Sequence, residues 1–75
     1  MNPIERDLLI ALHLAQCPPR EYCARPDAVC SLDAARKWLR RWNDWGFYTF
    51  DTNLEDGRLT ELGQTLAKEL SACDM

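Results

Sequence analysis

The stretch ARKWLRRWNDWGFYTF, residues 35–50, combines four cationic side chains with three tryptophans in the middle of a 75-residue chain. At 100° per residue, helical spacing puts the apolar residues on one arc and the cations on the opposite arc. The apolar arc consists of Ala35, Trp38, Leu39, Trp42 and Trp45, and the cationic arc of Arg36, Lys37, Arg40 and Arg41. The stretch therefore predicts an amphipathic helix whose tryptophans belong to the core and whose cations face outward.

A change of hydrophobic period follows this helix. Gly46 is placed to end the helix in the left-handed conformation that glycine favours. Residues 47–51, FYTFD, alternate as a short strand of β-favouring residues does. The sequence NLEDG, residues 53–57, supplies turn chemistry, and RLT, residues 58–60, is long enough to pair back as a second strand. These residues predict a β-hairpin.

The N-terminal segment predicts another amphipathic helix. Asn2 suits the N-cap, Pro3 suits the first helical position, and Glu5 is placed to complete a capping box. Apolar side chains recur at spacings of three and four, at Ile4, Leu8, Ala11, Leu12 and Ala15. The helix is expected to end at Pro18, because a proline in a helix interior removes a hydrogen bond and clashes with the preceding turn.

Capping residues and prolines predict where the other helices begin and end. Pro19 can open a second helix, which Pro26 closes within about two turns. Either Ser31 or Asp33 can cap the tryptophan-containing helix. Thr60 can cap a last helix, ELGQTLAKEL, whose leucines recur at helical spacing. We expect these elements to share one core that contains Leu8, Leu12, Leu39, Trp42, Phe47, Leu59 and Leu66.

The length of the chain limits its organisation. With 75 residues and a hydrophobic fraction of 47%, residues 1–75 are expected to form one domain without a second core. No apolar run approaches the roughly 20 residues that cross a bilayer. The first residues, MNPIERD, are acidic where a secretory signal is basic. We therefore expect a cytoplasmic protein with no membrane partner.

The four cysteines, Cys17, Cys23, Cys30 and Cys73, are expected to be thiols. A disulfide framework is typical of secreted chains, and nothing in this sequence indicates secretion. Structural zinc sites usually draw on cysteine pairs two to four residues apart, because a short knuckle orients two ligands at once. Here the first three cysteines have five and six residues between them, and only His13 or Cys73 could complete a zinc site. We expect no metal, no cofactor and no disulfide.

The charge is unevenly distributed. The net charge of −3 and the pI near 4.9 argue against a protein that coats nucleic acid without specificity. Residues 1–19 carry one cation against two acids, for −1, and residues 20–41 carry six cations against three acids, for +3. Residues 42–75 carry two cations against seven acids, for −5. The positive charge is thus concentrated in the segment that contains the first half of the tryptophan helix.

Catalysis has little support in the sequence. His13 is the sole histidine, and on a helix a structural role is more common for such a residue than general-base chemistry. The chain has no nucleophile elbow, phosphate-binding loop or paired-carboxylate motif. We therefore expect a chain that is not an enzyme and has no catalytic residues.

The amino-acid sequence around the hairpin resembles that of a known family. LRRWNDWGFYTF, residues 39–50, followed by DGRLTELGQTLAKEL, residues 56–70, resembles the winged-helix regulators of the MarR and PadR kind. In those families the recognition helix ends at a glycine before the first wing strand. The wing then returns through LTxxG, matched here by Leu59, Thr60 and Gly63.

This resemblance implies a mainly α fold with a small β-hairpin, the winged helix-turn-helix. Such a domain has three helices, a two-stranded wing and a C-terminal helix. Residues 32–45 would be the recognition helix and residues 47–60 the wing. It also implies a small sequence-specific DNA-binding protein, a transcriptional regulator or accessory factor. Two copies would pair over half-sites about one helical turn apart.

The resemblance assigns roles to five cations. In the recognition helix, Arg36 and Arg40 would read bases in the major groove of double-stranded DNA, and Lys37 and Arg41 would contact phosphates. Arg58, beside the wing tip, would touch the backbone or the minor groove.

The acids of the hairpin favour an alternative. Asp51, Glu55 and Asp56 would face phosphates unfavourably at a wing tip. Together with the acidic pI, they fit an adaptor or inhibitor that binds another protein through the same fold. The sequence leaves both functions open.

Overall fold

The structure is a computed structural model that describes residues 1–73, and this part of the chain folds into four α-helices and one antiparallel hairpin. The elements in order are α1 (Pro3–Ala15), α2 (Pro19–Cys23), α3 (Leu32–Trp45), β1 (Tyr48–Thr49), a 3-10 turn (Leu54–Asp56), β2 (Arg58–Leu59) and α4 (Glu61–Cys73). The expected mainly helical fold with a small hairpin is confirmed.

Helix α1 begins as its sequence predicts and then differs from the prediction in one residue. The Asn2 side chain accepts a hydrogen bond from the backbone N–H of Ile4 at 2.8 Å, and Pro3 occupies the first turn. The predicted capping box is wrong, because the Glu5 side chain turns into the core instead of back toward Asn2. The helix ends at Ala15, and its C-cap Gln16 adopts the left-handed conformation with φ of 53°.

The short helix α2 and the start of α3 also form where the proline and capping residues predict them. Pro19 opens α2, and the helix is only five residues long. Ser31 is the N-cap of α3, since its Oγ accepts a hydrogen bond from the backbone N–H of Ala34 at 3.2 Å. This contact decides between the two predicted caps in favour of Ser31.

The core lies between α1, α3, α4 and the hairpin. Five of the seven predicted core residues are buried: Leu8, Leu12, Leu39, Trp42 and Leu59. The other two, Phe47 and Leu66, are half-buried and pack against the edge of this core. Leu9, Tyr22 and Tyr48 are buried as well, although the sequence analysis did not include them. On α1 the buried face is wider than predicted at Leu9, because α1 packs against α4, α3 and α2.

Trp45 corrects the predicted apolar arc. Its side chain is 55% exposed, whereas Trp38 and Trp42 on the same helix are buried. Trp45 is the last residue of α3, and the chain turns at Gly46 with φ of 85°. The core therefore does not extend to the side of the helix on which Trp45 lies.

The hairpin is short and its loop folds back. Only Tyr48 with Leu59 and Thr49 with Arg58 are paired across the strands. The Tyr48 hydroxyl donates to the backbone oxygen of Leu54 and accepts from the backbone N–H of Gly57 at 2.9 Å. Burial raises the pKa of Tyr48 to about 12, so it remains a donor at neutral pH. One buried side chain thus anchors the loop.

Thr60 joins the hairpin to α4. Its hydroxyl accepts a hydrogen bond from the backbone N–H of Gly63 at 3.1 Å, which confirms the predicted cap, and donates to the carbonyl of Gly46 at 2.6 Å. A side chain at position 63 would place its Cβ 2.0 Å from the carbonyl oxygen of Phe47, so only glycine fits there. The LTxxG sequence therefore packs the start of α4 on Gly46 and Phe47, the residues between α3 and β1.

The burial of Trp42 gives a test of this core. We expect Trp42→Ala to lower the free energy of unfolding by about 3–5 kcal/mol, because it leaves a large cavity in the centre of the fold. Trp45→Ala is the matched control on the same helix, and we expect it to change the free energy by no more than about 0.5 kcal/mol. Urea denaturation followed by circular dichroism measures both variants. Equal losses would contradict the packing described.

Candidate nucleic-acid interface

The outward face of α3 carries the four cations predicted to contact DNA, Arg36, Lys37, Arg40 and Arg41, which we call the α3 basic face. Lys37, Arg40 and Arg41 are exposed and Arg36 is half-buried. The opposite face holds Ala35, Trp38, Leu39 and Trp42 in the core. The predicted separation of cationic and apolar faces is therefore confirmed up to the last turn.

Arg36 is held by two carboxylates of the chain. Its Nε donates to Oε1 of Glu55 at 2.9 Å, and its Nη1 forms an ion pair with Asp33 one turn earlier on α3. Glu55 lies in the 3-10 turn, which packs against both α2 and α3. The charge of Arg36 is thus compensated within the chain.

The hairpin loop that contains Glu55 and Asp56 does not extend into solvent as a wing tip would. Nη2 of Arg20 on α2 lies 3.3 Å from Oε2 of Glu55, and its Nε donates to Asp56 at 2.7 Å. Hydrogen bonds from Arg36 to Glu55 and from Arg20 to Asp56 hold the pKa of both carboxyl groups below the usual range. Asp51, the third acid of the predicted wing tip, is exposed. Two of the three acids therefore face α2 and α3 as ion-pair partners.

Arg41 lies between a buried carboxylate and an exposed aromatic ring. Its Nη1 is 3.6 Å from Oε1 of Glu5, and its guanidinium lies 5.7 Å from the ring centre of Trp45. Glu5 is only 1% exposed, and its Oε2 accepts a hydrogen bond from Nε1 of Trp42 at 2.9 Å. Glu5, on α1, thus orients a cation of the α3 basic face.

Sequence reasoning missed Glu5, although two signals were present. Glu5 precedes Leu8, Leu9 and Leu12 at helical spacing, so it belongs to the buried face of α1. A buried tryptophan also needs an acceptor for its indole N–H. These two signals together indicate a buried carboxylate at the position that the sequence analysis assigned to a capping box.

Lys37 and Arg40 differ from their neighbours. Within residues 1–73 neither of them forms an ion pair. The Lys37 ammonium lies 5.0 Å from the ring centre of Trp38, and Arg40 borders a groove between α3 and the hairpin loop that Phe50 and Leu54 also line. These two side chains carry the positive charge that the described part of the chain leaves uncompensated on α3.

Arg58 is separated from the α3 basic face. It is exposed on β2, and the largest cleft that it borders is lined by His13 of α1, by Lys68 of α4 and by residues of the hairpin. No α3 residue lines that cleft. The structure thus brings four of the five predicted residues to one helix and places Arg58 in a different depression.

His13 has a structural contact. Its Nδ1 lies 3.0 Å from Oε1 of Gln64, the same oxygen that accepts from Nε2 of Gln16 at 2.9 Å. The contact joins the end of α1 to the start of α4. The expectation that the chain is not an enzyme stays a prediction.

Cys17, Cys23 and Cys30 are free thiols, and the side chain of Cys73 lies outside the described part. Residues 1–73 contain no group of three or more His, Cys, Asp or Glu side chains placed to hold a metal ion. None of the helices in this part of the chain is long and apolar enough to span a membrane.

An apolar patch lies beside the end of α3. Trp45 and Leu62 are each 55% exposed, and Phe47 packs edge to face on Trp45 with ring centres 6.3 Å apart. Gly46 separates the two aromatic residues, and a methyl group there would lie 4.0 Å from Leu62. We call these three side chains the Trp45 patch.

Comparison of the chain with protein-family models, curated proteins and solved structures gives no match. The resemblance to winged-helix regulators therefore depends on the local sequence and on the order of the elements. Both are compatible with such a domain, and neither identifies a ligand.

The contacts of Glu55 predict a dependence of stability on pH. A carboxylate whose pKa is lower in the folded state stabilises the fold above its unfolded pKa, and the contribution disappears as the pH falls through the folded pKa. We expect Glu55→Gln to lower the urea midpoint at pH 7 and the difference from wild type to close below about pH 4.

Glu21→Gln is the control for this measurement. Glu21 is exposed on α2 and has no ion pair with any of residues 1–73, so its replacement tests the loss of a charge without the loss of a contact. A difference between Glu55→Gln and wild type that stays constant from pH 7 to pH 3 would show that Glu55 stabilises the fold by some other means.

Proposed function

We propose that the chain is a small sequence-specific DNA-binding protein of the winged-helix type, in which α3 is the recognition helix. The observation that carries this proposal is the pair Lys37 and Arg40. Both are exposed on one face of α3, and neither has an ion-pair partner within residues 1–73. The chain contains 12 acids and only 9 lysines and arginines, yet none of the acids within residues 1–73 pairs with either cation, including Asp44, which borders the same groove as Arg40.

The shape of α3 supports the same function. The helix is 14 residues long, and the 3-10 turn contacts its outward face at Arg36, near its N-terminal end. The major groove of B-DNA admits an α-helix, and an arginine can bind both acceptors of a guanine there. Arg40 is the cation in the middle of α3 that is free to do so. Lys37 and Arg41 flank it and suit phosphate contacts.

Arg36 requires a different account. Because Glu55 and Asp33 already bind its guanidinium, a DNA group can take Arg36 only by displacing a carboxylate. We therefore assign base reading chiefly to Arg40. Arg58 lies outside the α3 basic face, and we assign it a contact with the DNA backbone beside the hairpin.

A second candidate function follows from the Trp45 patch. An exposed tryptophan and leucine next to a half-buried phenylalanine form a surface suited to a protein partner, since aromatic residues are enriched at such interfaces. The net charge of −3 also favours a protein partner over a polyanion. This candidate is the adaptor or inhibitor that the sequence left open.

Titration against randomised DNA duplexes at two salt concentrations tests the proposed function. We expect Arg40→Ala to weaken binding by about 1–3 kcal/mol and to relax the preference at one base position. We expect Lys37→Ala to weaken binding to all sequences alike and to reduce the slope of log K against log salt by about one.

Lys68→Ala is the matched control for this titration. It removes one exposed positive charge from α4, in the cleft that Arg58 also borders, and should leave the base preference unchanged because Lys68 does not lie on the α3 basic face. If the wild-type protein shows no salt-dependent binding to any duplex, the DNA-binding proposal is wrong and the protein-binding function replaces it.

We also propose that the chain binds DNA as a twofold dimer. One recognition helix offers few base contacts, and a dimer doubles them over two half-sites about 34 Å apart. Sedimentation of the protein with a selected duplex should give two chains per duplex. A complex with one chain at saturating protein would contradict the dimer without contradicting DNA binding.

A further inference from the structure

Arg58 borders an open cleft that is separate from the α3 basic face. The hairpin, α4 and His13 near the end of α1 form its walls, and no residue of α3 lines it. Its volume is about 620 Å³, which lies within the range of roughly 300–1,000 Å³ that small-molecule sites occupy. The cleft is therefore large enough for a ligand of its own.

Two cations on different elements line this cleft without a partner. Arg58 is exposed on β2 and Lys68 is exposed on α4, and the side chain of neither forms an ion pair or a hydrogen bond within residues 1–73. Among the described residues that line the cleft, Glu61 is the only acid. With His13 counted as neutral, the lining carries two positive charges against one negative charge, in a chain whose net charge is −3.

A network at the end of α1 fixes the orientation of the Gln64 amide, which also lines the cleft. Nε2 of Gln16 donates to the carbonyl oxygen of His13, which can only accept, so this atom of Gln16 is the amide nitrogen. The same nitrogen lies 2.9 Å from Oε1 of Gln64, so the Gln64 atom there is the oxygen, and Nδ1 of His13 donates to it at 3.0 Å. This oxygen is therefore occupied by two donors. The amide nitrogen of Gln64 has no partner within residues 1–73, and its N–H groups are available to a ligand.

Hydroxyl groups add hydrogen-bonding capacity on two walls of the cleft. Thr49 pairs with Arg58 across the strands, so the two side chains lie on the same face of the hairpin. Thr65 is exposed on α4. The hydroxyl of Thr60 is already engaged both as a donor and as an acceptor. Apart from Glu61, the charged groups and amide N–H groups that the described residues offer to a ligand here are thus cations and donors.

We propose that this cleft binds a phosphate group. A phosphate presents three strong acceptor oxygens around one phosphorus atom, and donors that come from both a hairpin and a helix suit it better than they suit a planar carboxylate. Arginine binds two oxygens through its fork of N–H groups, and lysine supplies a point charge. Arg58 binds the phosphate from the hairpin, and Lys68 and Gln64 bind it from α4.

Two kinds of molecule carry such a group. One is a small phosphate-bearing molecule, for which the volume of the cleft leaves room beside the phosphate. The other is the backbone of DNA, and this source rests on the proposed DNA-binding function. The phosphate site itself does not depend on that function, because α3, which carries Lys37 and Arg40, does not line the cleft.

Titration of the isotope-labelled full chain with inorganic phosphate tests the site. Sodium chloride holds the ionic strength constant, and heteronuclear NMR spectra follow the backbone amides and the side-chain amide of Gln64. We expect saturable shifts at Arg58, Gln64 and Lys68 that fit one dissociation constant. Acetate, which offers fewer oxygens to the same donors, should bind at least about threefold more weakly.

Three variants test the individual contacts, and their expected effects differ in sign. Arg58→Gln and Lys68→Gln should each raise the Kd for phosphate by about threefold to tenfold, because each removes a cation from the site. Glu61→Gln should lower the Kd by about twofold, because it removes the acid of the lining. All three side chains are exposed, so these changes leave the core intact.

Arg25→Gln is the matched control for these variants. It removes an exposed cation that does not line the cleft, and it should leave the Kd for phosphate unchanged. The proposal is wrong if the phosphate shifts rise linearly without saturation, if Arg25→Gln weakens binding as much as Arg58→Gln does, or if acetate binds as tightly as phosphate.

A second titration distinguishes the two sources of the phosphate. Phosphate is titrated into the protein in the presence of a saturating selected duplex. An unchanged Kd for phosphate assigns the site to a small phosphate-bearing molecule, whereas a Kd that rises with the concentration of duplex assigns it to the DNA backbone. A protein that binds phosphate in the cleft but binds no duplex would contradict the proposed DNA-binding function and support this inference.

Discussion

The hydrogen bond from Trp42 to Glu5 is the contact on which the orientation of α3 depends. Trp42 is fully buried, so its indole N–H requires an acceptor inside the fold, and Glu5 supplies one at 2.9 Å. A buried carboxylate is costly unless it is paired, and Arg41 places a cation 3.6 Å from its other oxygen. Since α1 packs mainly on α4, this group of three is a principal direct connection between α1 and α3.

Acidic residues in this chain fix the elements around α3. Glu5 connects α1 to α3, whereas Glu55 and Asp56 connect the hairpin loop to α3 and α2 through Arg36 and Arg20. Such contacts explain why an acidic chain presents a cationic helix. Asp33, Glu55 and Glu5 are engaged by Arg36 and Arg41, towards the two ends of α3, whereas Lys37 and Arg40 between them form no ion pair within residues 1–73.

Local signals predicted much of the fold. Asn2, Ser31, Gly46 and Thr60 end or begin helices as their side chains and backbone preferences require, and the hairpin follows Gly46. These features depend on a few neighbouring residues, so they can be read from one segment of sequence.

The features that the sequence analysis missed depend on residues far apart in the chain. Glu5 and Trp42 are 37 positions apart, and Arg36 and Glu55 are 19 apart, so no local pattern links them. For the candidate site, the four cations of α3 could be predicted from helical spacing. The compensation of Arg36, the exposure of Trp45 and the separate position of Arg58 required the packing of the whole fold.

One helix therefore serves both the core and the candidate interface, and this limits how α3 can bind a ligand. An anion that took Arg36 would break its ion pair with Glu55 and loosen the loop, and one that took Arg41 would leave the buried Glu5 without its cation. Contacts at Lys37 and Arg40 break no ion pair of the described chain. A ligand that preserves the fold must therefore bind first at the middle of α3, and contacts at its ends can follow only where the ligand compensates the released carboxylate.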